Sequence, residues 1–207
     1  SPGSVRYGFG QSGKHKWWPF GWLVQLPLLK GCVKYGIKKY KYKDNNKWIK
    51  YGEWLAEPRK PRFFNQDKIV IREIINPTIF ATYLTGTSVV KNTNAVIIMR
   101  NENYTLKYLL ALLNSNYINY YIKSNSPKSK NKAFPSFSSR LIKAIPIPKI
   151  KVDIQRLFIR MAEYLLIVSK RNDTSTYSFL LQVVDGMVYE LYLPLILHEH
   201  KRSFIQH

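Results

Sequence analysis

The residues of this chain that come nearest to a phosphate loop are Gly8, Gly10, Gly13 and Lys14, in GFGQSGK. Such a loop needs a preceding strand and a following helix, so that backbone amides converge on the phosphate. Here only seven residues precede Gly8, Trp17-Trp18-Pro19 follows, and His15 stands where a magnesium-binding serine or threonine is required. The stretch reads as a flexible glycine-rich segment. The histidines His15, His198, His200 and His207 form no metal set, because the last three share a terminal stretch without cysteine or a suitable group of carboxylates. That stretch reads as a solvated tail. Glu199 and Lys201 give an E-x-K without an upstream proline–aspartate. Asp44, Glu53, Glu57, Asp67, Glu73 and Glu102 are not paired in any pattern suited to acid–base or magnesium chemistry. Asn76-Pro77 opens like the adenine-methyltransferase motif, but Thr78 and Ile79 follow in place of its second proline and base-stacking aromatic. The sequence therefore predicts no catalytic residue, no metal and no cofactor in this chain.

A stronger pattern is lysine interleaved with aromatic rings. From Lys34 to Trp54 the chain passes through Tyr35, Lys38, Lys39, Tyr40, Lys41, Tyr42, Lys43, Lys47, Trp48, Lys50 and Tyr51. Lysines neutralise phosphates, while aromatic rings pack on sugars or unstacked bases. Further on come Arg59, Lys60, Arg62, Lys68 and Arg72, then the loop lysines Lys128, Lys130 and Lys132. The whole chain holds 33 basic and 12 acidic residues, a net charge of +21. Residues 1–150 carry +20 of it, and residues 151–207 only +1. So large a charge repels itself without a polyanion, which places nucleic acid first among partners and an anionic membrane second.

These side chains must be held by elements of two kinds. Lys47–Tyr51, Lys68–Ile75, Ile79–Leu84 and Ala95–Met99 read as strands. In the second, Ile69 and Ile71 face one side and Lys68 and Arg72 the other. The fourth is a continuous apolar run suited to burial on both faces. Leu106, Leu109, Leu110 and Leu113 then take up helical spacing. Asn114, Ser115 and Asn116 predict a break and a second helix capped by Ser115 or Asn116. Residues 124–139 read as a polar loop, Ser138 or Ser139 as the cap of a short helix through Lys143, and IPIPKI (145–150) as extended. Two helical stripes follow. Ile154, Phe158, Met161, Leu165 and Val168 form one; Phe179, Val183, Val184, Met187, Val188 and Leu191 form the other, weakened by Gly186. The fold expected is α+β, a mixed sheet with packed helices over residues 1–150 and a helical segment over 151–207.

With 207 residues, 45% of them apolar and 14% aromatic, the chain can bury a real core, which excludes a disordered tail. Cys32 is the one cysteine, so no intrachain disulfide forms, in keeping with a reducing cytoplasm. The longest apolar stretch, Phe20 to Leu29, is broken by Gln25 and Pro27 and is far short of the roughly 20 residues of a membrane span. The start at Ser1 reads as a piece of a longer polypeptide.

WLAEPRKPRFF (54–64), preceded by Tyr51-Gly52-Glu53 and followed by KIVIREI, resembles the TaqI-like C-terminal specificity domain of type IIG restriction–modification enzymes and related adenine methyltransferases. YLLALLNSNYINYYIKS (108–124) is similar to that family's leucine-rich helix with its break at Leu113-Asn114-Ser115. Ala133-Phe134-Pro135 and IPIPK resemble its closing elements, and VVDGMVYELY (183–192) its terminal helix. The resemblance implies a target-recognition domain that binds double-stranded DNA beside the methyltransferase or nuclease domains of a parent polypeptide. S-adenosylmethionine and magnesium would then serve the parent and not this chain. Type I, type IIG and other phage-defence methyltransferases remain open as parents. Arg59, Lys60, Arg62, Lys68 and Arg72 are the candidates for base readout, with Pro58 and Pro61 limiting the backbone and Trp54 and Phe63 as anchors. Lys128, Lys130 and Lys132 suit phosphate contact, and Lys38, Lys39, Lys41 and Lys43 belong to the same basic surface. An RNA-binding module is the alternative that charge and aromatic content also permit, although no ribonucleoprotein motif or GxxG clamp stands in a suitable context.

Overall fold

A computed structural model describes residues 24–29, 37–42, 48–51, 59–75, 77–90, 94–100, 103–130, 135–171 and 173–205, with backbone alone at 24–29, 48–51 and 129–130. The glycine-rich segment 8–14, Lys43, Trp54, Pro58, Asn76, Lys132 and His207 lie outside these residues.

The central strand is β5 (Lys68–Arg72), flanked antiparallel by β6 (Ala81–Leu84) and β8 (Asn94–Ile97). Ile69 stands opposite both Tyr83 and Ile97, and Arg72 opposite Asn94. The sequence assigns a polar face to β5, and this proves incorrect: Lys68, Ile69, Val70 and Ile71 are all buried. Ile69 and Ile71 enter the main core, while Val70 joins Ile37, Leu84 and Val90 in a second cluster on the other face. Alternation fails as a guide when both faces of a strand are covered. The strand expected to be buried on both sides, β8, is at the sheet's edge, and its Ala95, Val96 and Ile97 are half-buried. A second sheet has the order β4-β1-β7, with β1 (Val24–Leu29) antiparallel to β4 (Trp48–Tyr51) and parallel to β7 (Val89–Val90). The sequence does not announce a strand at β1, where Pro27 interrupts the apolar run.

A short hairpin, β2 (Ile37–Lys38) and β3 (Lys41–Tyr42), turns at Lys39 and Tyr40. Tyr40 is buried with φ 56, a left-handed conformation that an aromatic residue rarely takes. Contacts from three elements hold it there. The Tyr40 amide donates to Ala81 O (2.9 Å), Ser169 Oγ donates to Tyr40 O (3.0 Å), and Tyr177 Oη donates to Lys39 O (2.7 Å).

The helical break falls where the sequence places it. Helices α1 (Leu106–Asn114) and α2 (Asn116–Asn125) meet at Ser115, whose hydroxyl accepts from Ile118 N (3.2 Å) and donates to Leu112 O (2.7 Å). Asn114 is buried beside it and binds Ala81 twice, accepting from its amide and donating to its carbonyl at 3.0 Å each. Asn119 accepts from Ile79 N (3.2 Å). Ser115→Ala is expected to lower stability by about 1–2 kcal/mol, because the cap is buried and leaves an orphaned amide behind. Urea unfolding checks this. A change below about 0.5 kcal/mol would mean that the junction is held by its asparagines alone.

Ser138 caps α3 (Ser139–Lys143), accepting from Leu141 N (3.4 Å). No helix or strand forms over 145–150, and tyrosines hold its carbonyls: Tyr192 Oη donates to Pro146 O (2.7 Å) and Tyr108 Oη to Pro148 O (3.2 Å).

The two long helices are α4 (Val152–Arg171) and α5 (Thr174–Tyr192), followed by α6 (Pro194–Glu199). Phe158 of α4 meets the Tyr108 ring edge-on at 5.4 Å. Phe158, Ala162 and Leu165 share one core with Leu110, Ile69 and Ile71, and Val184, Met187 and Val188 of α5 belong to it too. The solvated tail expected after His198 is instead folded back on α5. Glu190 is buried there, accepting from Phe204 N (2.6 Å), Ile205 N (2.8 Å) and Ser203 Oγ (2.8 Å), with His198 Nε2 at 3.1 Å. Gly186 lets this hook close, since a Cβ on it would stand 2.5 Å from the Phe204 ring.

Candidate nucleic-acid interface

Strand β5 delivers Arg72 to one end of its sheet. The Arg72 Nε donates to Ile74 O (3.0 Å), and its guanidinium lies over the Phe80 ring at 4.4 Å. Arg59 reaches the same end, donating to Asn94 O (3.1 Å) directly across the register from Arg72. Glu73 follows Arg72. Burial raises its carboxyl's pKa, and the positive charges of Arg59 and Lys128 oppose the rise. The loop carrying Lys128 is stitched alongside. Ile74 bridges to Ser136, Ile75 N donates to Pro135 O (2.7 Å), and Ser136 N donates to Lys128 O (3.3 Å). Arg59 and Lys128 thus act on the half-buried Glu73 carboxylate, and Arg59 also reaches the strand residue paired with Arg72, so segments distant in sequence meet at this sheet end.

Lys60 and Arg62 stand exposed on the 3₁₀ turn Pro61–Phe63, with Arg62 over the Phe63 ring at 5.0 Å. The residue that anchors this turn is Phe64, 2% exposed, and not the half-buried Phe63 of the sequence reading.

Other candidates are placed elsewhere. Lys68 is fully buried, and its Nζ donates to Phe64 O (3.1 Å), Gln66 O (2.7 Å) and Gly86 O (2.6 Å). It ties two turns together and cannot reach a base or a phosphate from there. Burial pulls its ammonium down to about 8, against the attraction of Asp67. Lys39 is half-buried towards α5. Burial lowers its pKa, with Asp185 opposing. Lys38 is exposed and sits opposite Lys41 in the hairpin. Lys41 lines a cavity of about 400 Å³ with Tyr42, Tyr83, Lys107 and Lys170. Tyr40, read as part of a base-stacking surface, is core. Lys130 falls on the 3₁₀ turn Pro127–Lys130, and Lys43 and Lys132 lie outside the described residues.

Sequence reasoning missed Glu73, on which Arg59 and Lys128 act, and Phe80, on which Arg72 rests. The signal present was local: Glu73 is the one carboxylate adjoining a strand arginine, with an aromatic residue eight positions after Arg72. Among the described residues, no three histidine, cysteine or carboxylate groups come together in a way that could hold a metal, and no helix is long and apolar enough to cross a membrane.

Comparison with curated proteins gives no match. A family match covers residues 26–147, from β1 through α3 to the prolines beyond it. That is more than half of the chain, and it spans Arg59, Arg72, Glu73 and Lys128. The chain belongs to the TaqI-like C-terminal specificity domain family, the DNA target-recognition domains of restriction–modification enzymes.

Proposed function

We propose that this chain reads a DNA sequence on behalf of a larger restriction–modification polypeptide and sets a separate methyltransferase or nuclease on that site. The observation that carries the reading is the meeting of Arg59, Arg72 and the Lys128 loop at one sheet end, Arg59 on Asn94 O across from Arg72 and the loop bridged to Ile74. Both guanidiniums are already tethered to backbone carbonyls. An arginine held in this way loses less freedom on forming a bidentate contact, so Arg59 and Arg72 suit a guanine edge in the major groove. Lys60 and Arg62, exposed on the 3₁₀ turn, add further positive charge for phosphate contact. Lys128 is exposed and long, and acts as a point charge on phosphate. S-adenosylmethionine and magnesium are needed by the catalytic domains and not by this chain, whose work is done in the cytoplasm on double-stranded DNA.

Binding curves on a preferred and a scrambled duplex test this. With about 6–8 phosphates contacted, log affinity falls against log salt with a slope of roughly −5 to −7. Lys128→Ala weakens both duplexes alike and flattens the slope by about one. Arg59→Ala costs about 1–3 kcal/mol on the preferred duplex alone. Equal losses on both duplexes for every variant would reduce the arginines to phosphate contacts. Tighter binding to structured RNA than to either duplex would make the chain an RNA-binding module.

A further inference from the structure

Helix α4 has a second face that the core does not use. Gln155, Phe158, Ala162, Leu165 and Ser169 point inward. On the opposite side Leu157, Tyr164 and Ile167 are 38%, 59% and 48% exposed. They lie in the series Asp153, Leu157, Arg160, Tyr164, Ile167, Arg171, whose steps alternate four and three. The apolar members, Leu157, Tyr164 and Ile167, fall on this 3.5-residue period in the middle of the 20-residue helix, with charged residues at the other positions. The seam leads at its C-terminal end into the cavity of about 400 Å³, to which Ile167 and Lys170 both contribute.

Charge selects the occupant. Arg160, Lys170 and Arg171 are exposed along this side, and Arg156 beside them is paired within the helix. Its two acids are already engaged, Asp153 with Arg156 at 3.0 Å and Glu163 with Lys107. A second copy of this chain would set like charges face to face. Nucleic acid would satisfy the charges but would leave Leu157, Tyr164 and Ile167 without an apolar partner, and their burial is where stabilisation is to be gained. We propose that the outer face of α4 is a docking seam for an acidic amphipathic helix of a partner protein, its apolar stripe laid on Leu157, Tyr164 and Ile167 and its carboxylates among the flanking arginines and Lys170. The surface shares no residue with the Arg59–Arg72–Lys128 cluster, so it stands without the DNA-reading proposal.

The test titrates the full chain into a labelled helical peptide of about 21 residues, three heptads with leucine at the seam positions and glutamate beside them. A second peptide has the same composition in scrambled order, and a third arm uses labelled duplex DNA. The seam peptide is expected to bind about tenfold or more tightly than the scrambled one, and Ile167→Asp with Tyr164→Ala to abolish that difference. Both substitutions are at exposed positions, and circular dichroism confirms that the variant is folded. Equal binding of the two peptides, or a difference that survives the double substitution, overturns the proposal. So does a double variant that loses duplex DNA as strongly as peptide, which would make the face a nucleic-acid surface. Failure of the arginine variants on DNA leaves this result untouched.

Discussion

Glu190→Gln is expected to lower stability by about 2–4 kcal/mol and to release the C-terminal hook. The Glu190 carboxylate is 4% exposed and takes up Phe204 N, Ile205 N, Ser203 Oγ and His198 Nε2. Glutamine can keep its oxygen on the Phe204 and Ile205 amides only by turning its NH2 to Ser203 Oγ and His198 Nε2, which must then accept, and the negative charge that strengthens all of these bonds is lost. Ile205, 2% exposed in the main core, goes with it. Burial alone would raise the carboxyl's pKa, but the hydrogen bonds from His198, Phe204, Ser203 and Ile205 outweigh it and hold the group below the ordinary glutamate range. A carboxylate depressed in the folded state stabilises above its unfolded pKa, and the contribution is lost as pH falls through the folded value. The gap between wild type and Glu190→Gln in urea unfolding is therefore full at neutral pH and closes in acid. A gap that persists unchanged to strongly acidic pH would show that the ionised carboxylate is not what holds the hook.

Lys68→Met is expected to cost a similar amount, about 2–4 kcal/mol, by orphaning the carbonyls of Phe64, Gln66 and Gly86 around a side chain that packs but cannot donate. Once folded, the variant should bind duplex DNA as the wild type does, with the same salt slope. Lys128→Ala should show the reverse, unchanged stability and weaker binding. The pH dependence has a definite sign. The folded-state value of about 8 lies below that of an unfolded lysine, so between the two the unfolded chain holds more protons and stability rises with pH. The deficit of Lys68→Met relative to wild type should widen over that window. A loss of DNA affinity in the folded variant would return Lys68 to the binding surface.

What could be read ahead of the structure was whatever short stretches determine by themselves. Ser115 and Ser138 cap their helices because a hydroxyl three residues before a free amide is a local arrangement, and the 3.6-residue stripes of α4 and α5 are likewise written within each helix. The burial of β5 was not legible, since it depends on which elements arrive on its second face, and those come from Ile37, Leu84 and Val90. Lys68 looked like any surface lysine. Its acceptors come from two separate turns, one of them 18 residues away, and nothing in the strand announces them. Of the candidate site, the cations could be found by charge alone. Their sorting into a gathered set and a scattered one needed the register that puts Arg72 across from Asn94, and the bridge that brings the Lys128 loop to Ile74. The hook is not legible in the terminal stretch itself, because its anchor, Glu190, sits in the helix before it.

The two asparagines at the α1–α2 junction have a further consequence. Strand β6 is the outer strand of its sheet, and Ala81 pairs with Ile71 in a position whose amide and carbonyl point away from β5. Groups exposed in this way are a template on which a strand from another molecule can add. Here Asn114 occupies both groups of Ala81, the Tyr40 amide shares the carbonyl, and Asn119 takes the amide of Ile79. Among the described residues, these groups of the edge are thus covered by side-chain amides on helices together with one backbone amide of the β2–β3 hairpin. That guard arrives with α1 and α2, 33 and 40 residues after the groups they cover. On a chain still being synthesised, the amides of Ile79 and Ala81 are open to a neighbour until those helices have emerged and docked.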